Sequence, residues 1–165
     1  MNKNLLLDFV VDKSNYAIQI KKEYTTETSL VWDAFTKSEI LDKWWAPKPW
    51  KTKTKSMDFK EGGKWLYAMC GPEGEEHWSF AQYKTIEYQK RFIAVDGFCD
   101  SDGKVNLDLP QSTWNTVFHK TEKGTQVEIK IQFSGIEQIE TIISMGFKEG
   151  ISMTLVELES ILNEK

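Results

Sequence analysis

Residues 125–162, TQVEIKIQFSGIEQIETIISMGFKEGISMTLVELESIL, decide the fold. In the opening run Val127, Ile129, Ile131 and Phe133 alternate with Glu128, Lys130 and Gln132. Successive side chains of a strand point to opposite faces, so this run predicts a strand with one face buried. The period then changes. Ser134 and Glu137 make the S-x-x-E pattern that opens helices. Ile136, Ile139, Ile143, Phe147, Ile151, Leu155, Leu158 and Leu162 then recur three or four apart, which predicts one long helix with a continuous buried face. At a rise of 1.5 Å per residue, about 27 residues reach roughly 40 Å, enough to lie across a sheet. Gly146 and Gly150 each weaken a helix by up to about 1 kcal/mol relative to alanine, so a kink or break near them fits the pattern.

Upstream, strand and turn repeat. Strands are predicted at about 53–59, 64–70, 77–86, 91–99 and 112–119, punctuated by Gly62-Gly63, Gly71-Pro72-Glu73-Gly74, Asp102-Gly103 and Lys123-Gly124. Closely spaced strands without intervening helices predict an antiparallel meander. Two further strands, residues 5–11 and about 17–24, flank Asp12-Lys13-Ser14-Asn15 and predict a hairpin. Between hairpin and meander lie two short helices. Thr28 or Ser29 caps the first, with Leu30, Val31, Ala34 and Phe35 on one face. Thr36 and Glu39 box the second, with Ile40, Leu41, Trp44 and Trp45 as its stripe and Pro47 and Pro49 as its end.

Composition narrows the function classes. At 165 residues and 40% hydrophobic content the chain has the size of one domain, residues 1–165, with a real core. Its net charge of -4, with both signs interspersed, offers no basic face for nucleic acid. The apolar patch of Leu5, Leu6, Leu7, Val10 and Val11 is broken by Asp8 and Asp12, far short of the roughly 20 residues of a membrane span. No charged n-region followed by an apolar h-region opens the sequence, and the two cysteines are Cys70 and Cys99, so a cytoplasmic setting with reduced thiols is the expectation. With only His77 and His119, no group has metal-ligand spacing, and no phosphate loop, nucleophile elbow or dinucleotide fingerprint occurs. No metal or cofactor is expected.

The order of elements is similar to the helix-grip fold of the START-like, or SRPBCC, superfamily. This is an α+β class in which a curved antiparallel sheet wraps a long C-terminal helix, with two short helices after the first main strand. Ser29-Leu30-Val31-Trp32-Asp33-Ala34-Phe35-Thr36 with Leu41, Trp44, Trp45 and Pro47 resembles the signature of one branch. So do Asp58-Phe59-Lys60-Glu61-Gly62-Gly63-Lys64-Trp65 and Gly146-Phe147-Lys148-Glu149-Gly150. That branch resembles the C-terminal domain of the activator of the heat-shock-protein-90 ATPase. Three positions depart from it: Lys22 replaces the usual arginine, Thr25-Thr26-Glu27 lacks the usual proline, and Ile151 stands where tryptophan or tyrosine is usual.

The aromatic residues carry the functional expectation, because rings on a concave sheet either fill a core or line a pocket. Seven tryptophans are many for this length. Strand parity, with the resemblance putting Trp65, Tyr67 and Met69 inward, places Trp78 and Phe80, Phe98, and Trp114 on shared faces of their own strands. The expected cavity lining is Trp44, Trp45, Trp65, Tyr67, Met69, Trp78, Phe80, Phe98, Trp114, Phe147 and Ile151, rimmed by Trp44, Trp45 and the Gly71–Glu76 loop. Lys22, Asp96 and His77 are the polar candidates. Lys22 shares parity with Ile18, Ile20 and Tyr24, so its amine either points inward, with Asp96 as the first partner to test, or snorkels from a frayed strand end.

Three functions compete. The first is a binding or carrier module for a small hydrophobic molecule. The second, implied by the resemblance, is a co-chaperone-like domain whose partner is a chaperone protein in a stress response; the sequence shows no segment resembling the activator's other half, which ranks it below the first. The third, also implied by the superfamily, is a cyclase- or dehydratase-like enzyme using His77, Asp96 or Tyr67. No residue forms a recognisable catalytic set, so binding is favoured over catalysis.

Overall fold

A computed structural model of the protein describes residues 7–164. The N-terminal hairpin pairs β1 (Leu7–Asp12) with β2 (Ala17–Tyr24), and α1 (Thr28–Thr36) and α2 (Ser38–Trp44) follow. The meander comprises β3 (Lys51–Met57), β4 (Lys64–Cys70), β5 (Glu76–Glu87), β6 (Arg91–Cys99), β7 (Ser112–Lys120) and β8 (Thr125–Gln132). Two helices, α3 (Ile136–Ser144) and α4 (Phe147–Leu162), close the chain. All strands join one eight-stranded sheet in the order β1-β2-β8-β7-β6-β5-β4-β3, antiparallel throughout. The hairpin is therefore the sheet's continuation, with β2 docked on β8. Residues 5 and 6 of the predicted first strand lie outside the described residues.

The helix-grip reading holds, and the closing helix differs from the single rod its apolar period predicts. Gly146 takes φ +91°, a left-handed conformation that ends α3 and starts α4. Side chains with a Cβ resist that conformation, so glycine is what permits the bend there. Gly150 lies inside α4 and breaks nothing. The stripe still works piecewise, since Ile139 of α3 and Ile151, Leu155 and Leu158 of α4 are buried.

Helix starts also differ from the predicted caps. Glu27, Lys37 and Gly135 occupy the N-cap positions of α1, α2 and α3, and none provides a side-chain cap. Thr36 instead donates to the Trp32 carbonyl at 2.8 Å, at the end of the first helix, and Gln138 Oε1 accepts the Ser134 N–H at 2.9 Å. Tertiary packing holds these short helices, as it must for segments too brief to be stable alone.

Packing divides the concave face into two ends. At one, α1 drives Trp32 into edge-on contact with Phe59, Phe92 and Phe118, while Phe35 packs on Trp44 and Phe118. Tyr83 adds an edge contact to Phe59. Such tilted ring pairs give about 0.5–1.5 kcal/mol each beyond area burial, and they fill this end completely enough that Trp32, Phe35, Trp44 and Tyr83 are all buried. The other end is not filled.

Candidate functional site

At the unfilled end, the sheet and the α3–α4 corner border a partly open cavity of about 280 Å³. Alternation on the strands decides its floor. β4 contributes Tyr67 and Met69, β5 contributes His77 and Ser79, β6 contributes Asp96 and Phe98, and β7 contributes Ser112 and Trp114. Cross-strand register explains the grouping: Tyr67 faces Ser79, and Ser79 faces Phe98. Ile142, Phe147, Ile151 and Thr154 form the roof from the helices, and Trp45 and Pro47 close the side after α2. The bend at Gly146 is itself part of the wall, so the break in the helix is what leaves room beneath it.

Nine of the residues singled out in the sequence meet at this cavity: Trp45, Tyr67, Met69, Phe98, Trp114, Phe147, Ile151, Asp96 and His77. Five lie elsewhere. Trp44 is sealed in the filled end and donates its indole N–H to the Ala34 carbonyl at 3.0 Å. Trp65 stacks on Tyr67 with centroids 4.0 Å apart, behind the cavity wall, and borders only a void of about 30 Å³. Trp78 and Phe80 do share a face, but it is the convex one, because their strand turns His77, Ser79 and Ala81 inward. Phe80 is nonetheless buried, since Gly97 lets its ring lie close; a Cβ on Gly97 would come within 2.9 Å of it.

Lys22 is the fifth correction. Its amine is buried as parity predicts, yet it pairs with Glu159 of α4 at 2.7 Å and not with Asp96. The snorkelling alternative fails for the same reason. The Gly71–Glu76 loop is likewise absent from the rim, where His77, Pro110, Met145 and Gly146 stand instead. His77 leans on the Trp50 ring at 5.1 Å between centroids.

Sequence reasoning missed Ser79, Ser112, Thr154 and the helix-corner residues Ile142 and Met145. Ser79 shares parity with His77, but the opposite face of the same strand carried the larger rings of Trp78 and Phe80. Ile142 and Met145 were not, because they fall off the apolar stripe and reach the cavity only through the bend.

The polar chemistry of the wall is sparse. Trp45 donates its indole N–H to the Tyr67 hydroxyl at 3.1 Å, and Trp114 donates to Ser112 Oγ at 2.9 Å. Thr154 spends its hydroxyl proton on the Ile151 carbonyl at 2.9 Å. Burial pushes the Tyr67 phenol well above its ordinary pKa, and the nearby Asp96 adds to the shift. Asp96 itself is raised well above the carboxylate range by burial alone. The residue is half-buried, and it borders both the cavity and the small void behind it. No group of three or more metal-ligating side chains occurs among the described residues, and no helix among them is long and apolar enough to cross a membrane.

Known proteins share this architecture. A protein of Mycobacterium smegmatis, seen by crystallography, superposes with a TM-score of 0.89 at 25% identity, over 98% of this chain and 99% of its own. One from Arthrobacter aurescens, solved by solution NMR, gives 0.90 at 26% identity, over 96% and 92%. One from Nitrosomonas europaea gives 0.78 at 25% identity, over 92% and 96%. No curated protein matches the chain. The family model described as Activator of Hsp90 ATPase homolog 1-like protein matches residues 25–163, the fold from α1 to the end of α4 without the N-terminal hairpin. The chain belongs to that family.

Proposed function

We propose that this protein binds a small hydrophobic molecule in the cavity between the sheet and the α3–α4 corner. One observation carries the reading: the concave face is plugged with rings at the α1 end, while at the other the rings of Trp45, Tyr67, Trp114 and Phe147 surround about 280 Å³ of space. A chain that needed only a core would gain from closing that volume, since empty apolar space forfeits dispersion contacts. A guest burying about 200 Å² of apolar surface would gain roughly 5 kcal/mol before ordering costs, enough for weak to moderate affinity without any reacting group. The free thiols of Cys70 and Cys99 support a reducing, cytoplasmic setting.

The test is calorimetric titration with 2-naphthalenemethanol against the wild type and Ser79→Phe, which puts a ring into the cavity. Binding by the wild type and its loss in a variant that keeps its melting cooperativity is the expected result. Equal binding by both would place the guest elsewhere and overturn the reading.

The family description favours a second reading, a domain that docks on a chaperone and alters its ATPase. The chaperone's ATPase rate, measured with and without this protein, tests that role; an unchanged rate removes it. The cyclase-like reading rests on Asp96 and Tyr67 facing one cavity, and turnover lost on Asp96→Asn would support it.

A further inference from the structure

The hydrogen-bond accounting of the cavity wall is lopsided. Both indole N–H groups that border the cavity are spent inside the protein, Trp45 on Tyr67 and Trp114 on Ser112. Thr154 is spent on backbone. Asp96 is the opposite case: half-buried and lining the cavity, it has neither a hydrogen bond nor an ion pair among the described residues. Lys22, the cation whose parity pointed inward, is committed to Glu159. No lysine or arginine lines the cavity, and its one basic side chain is His77 at the rim. A carboxyl drawn even partly out of water without a counter-charge is costly, and that cost falls when a cation arrives with the ligand.

The rings beside it suit the same guest. Trp45 and Trp114 stand with centroids 6.0 Å apart and tilted by 50°, and Phe147 meets Trp114 edge-on at 6.0 Å. With their N–H groups spent inside the protein, neither indole gives the cavity a donor, and aromatic rings attract ammonium groups held against their faces.

We infer that the cavity takes an apolar, ring-sized amine in its protonated form, with the Asp96 carboxylate as counter-charge and the faces of Trp45 and Trp114 beside the ammonium. This rests on the reading of the cavity as a ligand site. An apolar carboxylic acid of equal size is disfavoured, since its own carboxylate would leave water with no lysine or arginine in the lining to pair it. A neutral alcohol fills the same space without the charge pairing.

Isothermal titration calorimetry at neutral pH with 2-naphthylmethylamine, 2-naphthalenemethanol and 2-naphthoic acid separates the terms, because the three share one skeleton. The amine should bind about tenfold tighter than the alcohol, with the acid weakest. Asp96→Asn should bring the amine to the alcohol's affinity while the alcohol binds as before, which also shows that the variant keeps its cavity. Where that variant loses the alcohol too, Asp96→Ser supplies the same comparison. An amine no tighter than the alcohol in the wild type, or an amine preference that survives removal of the carboxylate, overturns the inference and leaves the cavity reading standing. Absence of binding by all three overturns both.

Discussion

Lys22 Nζ lies 2.7 Å from Glu159 Oε1, so an ion pair ties the second strand to the last helix. The strand is bound to that helix twice, because Tyr24, two residues on, donates its hydroxyl to the Leu155 carbonyl at 2.8 Å. Lys22 also sits over the Tyr24 ring, 4.9 Å from its centroid. Only 2% of the Lys22 side chain is exposed against 29% for Glu159, so losing the carboxylate strands a buried amine. Glu159→Ala should cost about 2 kcal/mol in urea unfolding, below the usual range for a fully buried pair because Glu159 is partly wet. Replacing both partners, as Lys22→Met with Glu159→Leu, should cost less than the single change. A neutral Glu159→Ala would show that the pair contributes nothing.

The bend at Gly146 gives a prediction whose sign separates a broken helix from a continuous one. A Cβ there meets nothing within 4 Å, so the only penalty is the left-handed backbone at φ +91°. Gly146→Ala should therefore destabilise by about 1 kcal/mol, read from the urea midpoint. In an unbroken helix the same change would stabilise by about as much.

Asp96 sets a pH dependence. Its folded pKa lies well above the ordinary 3.8, so the folded chain holds the proton more tightly than the unfolded one. The stability it contributes is complete below that ordinary value and is lost as pH rises through the folded value. The titratable groups around it are Tyr67 on β4 and Tyr83 on β5, whose phenols burial raises and Asp96 raises further, and His77 across the cavity. α4 brings Thr154 and no charge to the wall. Asp96→Asn should raise the melting temperature at neutral pH and leave it unchanged near pH 3. A lower melting temperature at neutral pH would mean that the carboxylate has a partner in the fold.

Neighbouring tryptophans should respond differently to truncation. Trp44 is buried and hydrogen-bonded in the filled end, so Trp44→Ala should cost about 3–5 kcal/mol. Trp114 has the cavity on one side, which already forfeits contacts, and Trp114→Ala should cost clearly less. Chemical denaturation of the two variants checks the order; equal costs would mean that both ends of the concave face are packed alike.

The strands were legible because period-2 alternation survives tertiary context; the run from Val127 to Gln132 lies in the sheet, and its apolar positions together with Phe133 just beyond are buried as the pattern predicts. The helix corner was half legible. The apolar stripe located α3 and α4, and Gly146 marked a weak point, but whether a glycine bends a helix depends on packing that the stripe does not encode. At the site, parity within a strand was readable while the choice of inward face was not. Trp78 and Phe80 looked like lining because they are large, yet Ser79 faces the cavity and the two rings sit outside it. Phe80 is buried on the convex face, where composition gives no sign of cover. Lys22 shows the same limit: its parity gave burial, but its partner lies 137 residues away on an element whose approach the local pattern cannot set.

The most direct measurement is a two-dimensional ¹H–¹⁵N NMR titration with 2-naphthalenemethanol that follows the indole N–H signals. Trp45 and Trp114 border the open end of the concave face, and Trp32 and Trp44 lie in the plugged end. The account predicts saturable shifts of the first two signals with the last two nearly still. Unmoved signals throughout, or shifts spread equally over all four, would contradict a cavity held open between the sheet and its closing helices.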